Sequence, residues 1–333
     1  MAGGDRDGIG GGTITPVTAD PEPVVTVVVP GFDVAEYAAE ALDSLRRQTL
    51  RAWTAILVDD ASTDATPDVF AEAAASDPRF RVVRHETRRG LGAARNTGLD
   101  LVETPFVGFL DADDVLTERA LERIVGTVTA SGSDFALGAY VRLRPDGAGG
   151  YVPGDVQPWV RAATEPARTA TTIDLHPAAS GNIVAWSKVS RTDFWRRAGL
   201  RFPERVAYED QLVAQRMYSL ARAFDVIPDI VVHWRERADG TSITQRKHEL
   251  PVLADYLTAM REGIAVLDEG GHTAAAATRV RLILEMDVPP LVRLARNHRD
   301  DEYRRVLGEF VRSLVARAPE ATTSTEIAAA TLW

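Results

Sequence analysis

Hydrophobic positions follow two rhythms along this chain. Val24-Val-Thr-Val-Val-Val29 is an almost unbroken β-branched run closed by Pro30-Gly31, the pattern of a strand buried on both faces. From Val34 to Gln48 the period changes, and Tyr37, Ala41, Leu42 and Leu45 recur at helical spacing. The alternation then repeats. Thr54–Val58 reads as a second strand ending on Asp59-Asp60, and Thr66 reads as the cap of a helix with Pro67 at its first position. Arg81–Val83 is a third strand and Ala93–Val102 a helix. Phe106–Leu110 is a fourth strand running into Asp111-Ala-Asp-Asp114, followed by a helix from about Thr117 and a strand around Phe135–Val141. Strands and helices in this order predict an α/β, Rossmann-like fold with a mainly parallel sheet flanked by helices. Such sheets bind ligands beyond the carboxyl ends of their strands, and two of those ends here carry paired carboxylates.

The remainder divides by composition. Residues 1–22 are Gly-rich without an apolar period and read as a disordered leader. Residues 144–180, rich in Pro, Gly, Ala and Thr, read as a long excursion, and 183–234 as a mixed segment. After about Thr244 the pattern is helical: Tyr256, Leu257, Met260, Ile264 and Leu267 share one face, as do Leu307, Phe310, Val311, Leu314 and Val315. About three helices are expected, the middle one broken at Pro289-Pro290. The domain reading is a leader over 1–22, an α/β domain over 23–245 and a C-terminal helical extension over 246–333.

Composition narrows the class. The 333 residues are 45% hydrophobic and carry a formal net charge of −10, so the global basic footprint of a nucleic-acid binder is missing. No window approaches the ~18 consecutive apolar residues of a transmembrane helix, and the N-terminus lacks a secretory signal pattern. The absence of Cys excludes thiol chemistry and disulfides. Cations are nearly all Arg, with Lys only at 188 and 247.

Five constellations carry candidate chemistry. Asp111-Ala112-Asp113-Asp114 leaves a strand end with carboxylates at alternate positions, hard oxygen ligands suited to Mg²⁺ or Mn²⁺; the alternative is an acidic turn capping the next helix. Asp59-Asp60 can accept from a nucleobase imide, or serve the turn. Arg88-Arg89-Gly90-Leu-Gly92-Ala-Ala-Arg95 opens a helix and suits phosphate groups. Tyr208-Glu209-Asp210 offers a carboxylate as general base, or acids complementing a helix dipole. His233-Trp-Arg235-Glu-Arg237, with Ser242, suits a loop closing over phosphates, and His233 is a candidate third metal ligand.

Taken in order, Pro30-Gly-Phe32-Asp33, Leu-Val-Asp59-Asp60-Ala-Ser-Thr-Asp64, Gly92-Ala-Ala-Arg95-Asn96-Thr-Gly98, Leu-Asp111-Ala-Asp113-Asp114 and Tyr208-Glu209-Asp210 resemble the family-2 glycosyltransferases of GT-A fold, over roughly residues 24–245. The resemblance implies a nucleotide-diphosphate-sugar donor, most often uridine-linked. It implies that Pro30 and Phe32 line the base, that Asp60, with Asp59 its neighbour, binds the base edge, and that Arg95 holds the nucleotide. Asp113 would bind Mn²⁺ or Mg²⁺, with Asp111 on ribose or metal and Ala112 beside the donor. Asp210 would be the base of a single inverting displacement, supported by Glu209. Arg235, Arg237 and Ser242 would sit near the diphosphate, and Trp186 and Lys188 on the acceptor side. Asp33 departs from the Asn that the family often shows after its aromatic residue. Gly-Thr-Ser-Ile-Thr at 240–244 resembles enzymes that build or decorate bacterial cell-wall polymers such as teichoic acids.

The implied partners are a nucleotide-sugar donor and a glycan or polyol-phosphate acceptor, with no nucleic acid. The helical extension is left to acceptor, membrane surface or a second subunit. The implied location is cytoplasmic or loosely peripheral to the inner membrane face. Two competing readings stand beside this one: a nucleotidyltransferase, which requires a basic Gly-rich loop after the first strand where Pro30-Gly-Phe-Asp33 stands, and a catalytically silent glycan- or nucleotide-binding module.

Overall fold

The computed structural model describes residues 21–240, 242, 245–321 and 324–333. The expected leader, except for Pro21 and Glu22, lies outside the described residues. β1 (Val25–Gly31) is buried along its whole length, and each fully buried Val side chain contributes about 1.5–3 kcal/mol. It leads through α1 (Ala35–Arg46) to β2 (Trp53–Asp59), then through α2 (Thr66–Ser76) to β3 (Phe80–Arg84), and through α3 (Leu91–Leu99) to β4 (Phe106–Phe109). All pairings among these four strands are parallel, in the order β3-β2-β1-β4. The carboxyl ends of β1, β2 and β4 therefore lie side by side, bringing Phe32, Asp60 and Asp111 to one edge. Thr66 is the first residue of α2 rather than its cap. Its hydroxyl is used across the sheet end, accepting from Val34 N at 2.8 Å where α1 begins.

The second half of the sheet is mixed. After β5 (Val115–Leu116) and α4 (Ala120–Ser131), the long β6 (Phe135–Pro145) forms a hairpin with β7 (Tyr151–Val156). α5 (Pro158–Thr164) and β8 (Arg168–Thr171) follow, so the expected excursion over 144–180 contains ordered elements. β9 (Lys188–Arg191) runs antiparallel between β4 and β6 and joins the two halves. Then come α6 (Thr192–Arg197), α7 (Glu209–Leu220) and β10 (Phe224–Arg235). β10 pairs in parallel with β6 and antiparallel with β5 and β8. The sheet has ten strands among the described residues and is mostly parallel at its centre.

The C-terminal extension comprises α8 (Leu250–Glu269), α9 (Thr273–Leu282), α10 (Val288–Arg296), α11 (Asp301–Val315) and α12 (Thr325–Ala330), more than the three helices expected. Pro289-Pro290 does not break a helix. It occupies the first turn of α10, directly after a π-helical segment over Ile283–Asp287, where missing N–H donors are tolerated. Leu253, Tyr256, Ile264, Leu291 and Phe310 belong to a second core within these helices, while Leu267 and Ala275 join the core of the sheet. α8 lies against α7, so the extension is seated beside the segment bearing Glu209 and Asp210. No helix among the described residues is long and apolar enough to cross a membrane.

Candidate active site

The loops at the carboxyl ends of β1, β2 and β4, the start of α3 and the start of α7 surround a cavity of about 590 Å³. Its wall includes Pro30, Phe32, Asp60, Arg95, Asp111, Ala112, Asp113, Trp186, Glu209, Asp210, Arg237 and Ser242. Asp59, Lys188, His233 and Arg235 are not on that wall. Asp59 is fully buried and ion-paired to Arg84 at 2.9 Å.

Asp60 is anchored from three directions. One oxygen accepts from His85 Nδ1 at 2.6 Å and Arg89 N at 2.8 Å, and the other from Gly90 N at 2.7 Å. A carboxylate has about four lone-pair positions, which leaves one acceptor position. His85, which the motifs did not single out, is oriented by Thr97 through its other nitrogen at 2.9 Å. The register of β2 and β3 contained the signal: Asp59 pairs with Arg84, so the next residues, Asp60 and His85, emerge together. Gly90 has φ of 93°, which its lack of Cβ permits. Phe32 lies under the Arg88 guanidinium, 3.9 Å from ring centroid to Cζ. Asp33 takes φ of 48°, a conformation open to Asp and Asn alike, and accepts from Thr63 N at 2.7 Å.

Arg95 is the electrostatic centre. Only 1% exposed, it donates through Nη1 to Glu209 and through Nη2 to Asp111 at 2.6 Å, tying α3 to the start of α7 and the end of β4. Close packing permits this. A Cβ on Gly92 would lie 2.0 Å from the carbonyl oxygen of Pro203, so only glycine lets α3 approach the segment preceding α7. Asp210 follows Glu209 in the first turn of α7, beside helix N-terminal dipoles. Burial pushes both carboxyls above the usual carboxylate range, with Arg95 opposing.

Burial likewise raises Asp113, opposed by Arg237, whose Nε donates to its Oδ2 at 2.7 Å. Asp114 turns inward and accepts from Arg235 N at 2.7 Å. Arg235 is buried. Its Nε donates to Asp113 O at 2.7 Å and its Nη2 to Glu40 at 2.5 Å, so it braces the acidic turn from behind. His233 pairs with Val115 in the sheet, and burial lowers its basicity. No group of three His, Asp and Glu side chains among the described residues is gathered for a metal. Asp111 and Asp113 nevertheless supply hard oxygen donors on the cavity wall. Mg²⁺ commonly takes one or two protein carboxylates and completes its shell with phosphate oxygens and water.

Lys188 is buried behind Asp210. Its ammonium donates to Asn182 Oδ1 at 2.6 Å, Asn182 O at 2.9 Å and Val184 O at 2.6 Å, and burial lowers its pKa to about 7 with Asp210 opposing. Trp186 reaches the wall, braced edge-on by Tyr140 with ring centroids 4.7 Å apart. Thr241, Ile243 and Thr244 lie outside the described residues.

Comparison with known proteins accords with this geometry. Residues 26–186 match the description Glycosyl transferase family 2. Over this region, a little under half of the chain, the sequence is similar to glycosyl transferase family 2. The match takes in Phe32, Asp60, Arg95, Asp111, Asp113 and Trp186, while Glu209, Asp210 and Arg237 fall beyond it. Among curated family relatives, the uncharacterized glycosyltransferase EpsJ of Bacillus subtilis is 29% identical over 56% of this chain and 54% of its own length. The succinoglycan biosynthesis protein ExoO of Rhizobium meliloti is 33% identical over 37% of this chain and 35% of its own. The chain thus spans about half or less of these relatives' length. Among solved structures, residues 1–349 of S. aureus TarS in complex with UDP-GlcNAc superpose with a TM-score of 0.68 at 21% identity, covering 87% of this chain and 81% of TarS. The fold likeness therefore extends past the family 2 match into the segment carrying Asp210 and into the helical extension.

Proposed function

We propose that this chain is an inverting, metal-dependent glycosyltransferase that moves a sugar from a uridine-diphosphate donor to a hydroxyl of a cell-envelope saccharide. One observation carries the reading: Asp60, Asp113 and Asp210, contributed by three distant segments, line one cavity. The relation to TarS, whose complex holds UDP-GlcNAc, and to ExoO of succinoglycan biosynthesis supports the donor and acceptor classes.

In this reading Phe32 stacks on the base while the free acceptor position of Asp60 accepts a hydrogen bond from the imide N–H. Arg237 and Ser242 bind the diphosphate. Asp113 and Asp111 would hold Mn²⁺ or Mg²⁺, which offsets the charge of the leaving diphosphate when bound. Asp210 accepts the proton of the acceptor hydroxyl as its oxygen bonds to the anomeric carbon and the bond from that carbon to the diphosphate breaks. Nucleoside diphosphate leaves, and the proton stays on Asp210. A positioned base contributes about 10²–10⁴-fold in rate. Glu209 and Arg95 hold the start of α7 so that Asp210 faces the donor.

The test is a panel of UDP- and GDP-linked sugars with Mn²⁺, read by melting temperature for binding and by mass for products. Transfer with release of nucleoside diphosphate is expected. Pyrophosphate release would instead indicate a nucleotidyltransferase, and binding without turnover a silent module.

A further inference from the structure

A second cavity of about 510 Å³ opens on the far side of Asp210. It shares Val184, Tyr208, Asp210 and Trp234 with the first, so one carboxylate faces both chambers. Its outer wall comes from the helical extension, including Tyr256, Arg279 and Asp287, and from Lys247 just before α8. The inner wall carries Tyr140, Trp159, Tyr208 and Trp234, aromatic faces of the kind that stack on sugar rings.

The cations lining this chamber pair off with one exception. Arg142 lies 3.6 Å from Glu236, Arg279 lies 3.9 Å from Asp287, and Arg235 bonds Glu40. Lys247 forms no salt bridge with any described residue. Its ammonium rests 4.0 Å from the Tyr256 ring centroid and 5.6 Å from that of Tyr208. Around it, Tyr208 Oη, Gln211 Nε2 and Arg142 Nε are buried polar atoms without hydrogen-bond partners. Burial weakens the basicity of Lys247 and Asp287 opposes that effect. A half-buried ammonium set against π faces with no salt bridge, on a wall that also carries unpaired polar atoms, is an arrangement that an anionic ligand would relieve.

We propose that this second chamber is the acceptor site and that it selects a saccharide bearing an anionic substituent, carboxylate or phosphate, which Lys247 pairs. The inference rests on the reading of Asp210 as the base between donor and acceptor.

The test titrates the full chain with methyl glucoside, methyl glucuronide and methyl glucoside 6-phosphate, read by the fluorescence of the Trp residues lining the chamber, with UDP titrated in parallel. The native chain should bind at least one charged sugar ~10-fold more tightly than the neutral one, and comparison of the two charged sugars tells carboxylate from phosphate. Lys247→Met, which keeps the stem over the rings, should abolish the discrimination, and Lys247→Arg should retain most of it. Lys247→Gln serves if the Met variant fails to fold. Equal affinity for charged and neutral sugars, no binding of either charged sugar, or discrimination that survives loss of the charge would each overturn the proposal. Failure of UDP to bind would overturn the donor reading instead, and the sugar titrations detect that case separately because they need no donor.

Discussion

Replacing Arg95 with Met tests whether one guanidinium holds the site together. Arg95 is 1% exposed, and its partners Glu209 and Asp111 have side chains 3% and 22% exposed, so solvent screens the first contact little. A hydrogen bond to a charged group contributes about 1.5–3 kcal/mol, and two are lost. Discounting the more exposed Asp111 contact gives a loss of about 3 kcal/mol at pH 7. Met keeps an apolar stem but gives up the guanidinium, whose Cζ lies 5.2 Å from the Phe202 ring centroid, so the loss is chiefly electrostatic.

The pH dependence separates this explanation from simple cavity formation. Burial holds Glu209 at about 7 even with Arg95 beside it, so below pH 7 native and variant both keep the proton on Glu209 and their difference is flat. Above pH 7 the native carboxylate ionises against Arg95. The variant, whose Glu209 is raised further, must retain the proton or bury an unpaired charge. The deficit should therefore grow by up to about 1.4 kcal/mol per pH unit above 7. Urea unfolding followed by Trp fluorescence measures it. With an m-value near 3 kcal/mol/M, the midpoint at pH 7 should drop by roughly 1 M. Adding Glu209→Gln to the variant should remove most of this pH dependence, leaving only the part due to Asp210, which Arg95 also opposes. A deficit under about 1 kcal/mol, or one that is the same at pH 7 and pH 8.5, would refute the assignment of Arg95 as the counter-charge of the buried acids.

Asp210→Asn should lower transfer by about 10²–10⁴-fold with UDP affinity nearly unchanged. The same substitution should raise the melting temperature at neutral pH, because a carboxyl held above its ordinary pKa by burial opposes folding once ionised. In the native chain the acid limb of kcat/KM should lie above the ordinary Asp value of 3.8, with rate falling as pH drops through it; a limb at or below that value would contradict the assignment. Phe32→Ala should weaken UDP binding by about 1–3 kcal/mol, the contribution of base stacking on an aromatic ring, as calorimetry would detect. Excess chelator should abolish transfer and added Mn²⁺ restore it, and turnover that persists in chelator would remove Asp113 from its metal role.

The parallel half of the fold was legible because β1, β2 and β4 are buried almost throughout. The Val run of β1 has no amphipathic alternative, and all seven residues are buried. The mixed half was not. β7 has no buried residue and no regular alternation, and it acquires its strand character from pairing with β6. β10 carries Pro228-Asp229 inside a 12-residue strand, where irregular register absorbs them, and neither residue reads as strand on its own. The π-helical turn before Pro289 likewise depends on packing in the second core, which a proline rule cannot anticipate.

At the site the same division separates carboxylates from their partners. Asp60, Asp111 and Asp113 were readable because a strand end fixes where its next residues emerge. Their partners were not, since each comes from another element: His85 to Asp60, Arg237 to Asp113, and Arg95 to Asp111 and Glu209. Arg235 and Arg237 are two residues apart on an extended segment, yet one braces the acidic turn through Asp113 O while the other pairs with the Asp113 side chain. Which Arg does which depends on how β10 docks beside β5. Acids at strand ends therefore mark where a polar ligand can bind. The arginines that neutralise them, Arg95 from α3 and Arg237 from just beyond β10, allow so many carboxylates to share one cavity in a folded chain.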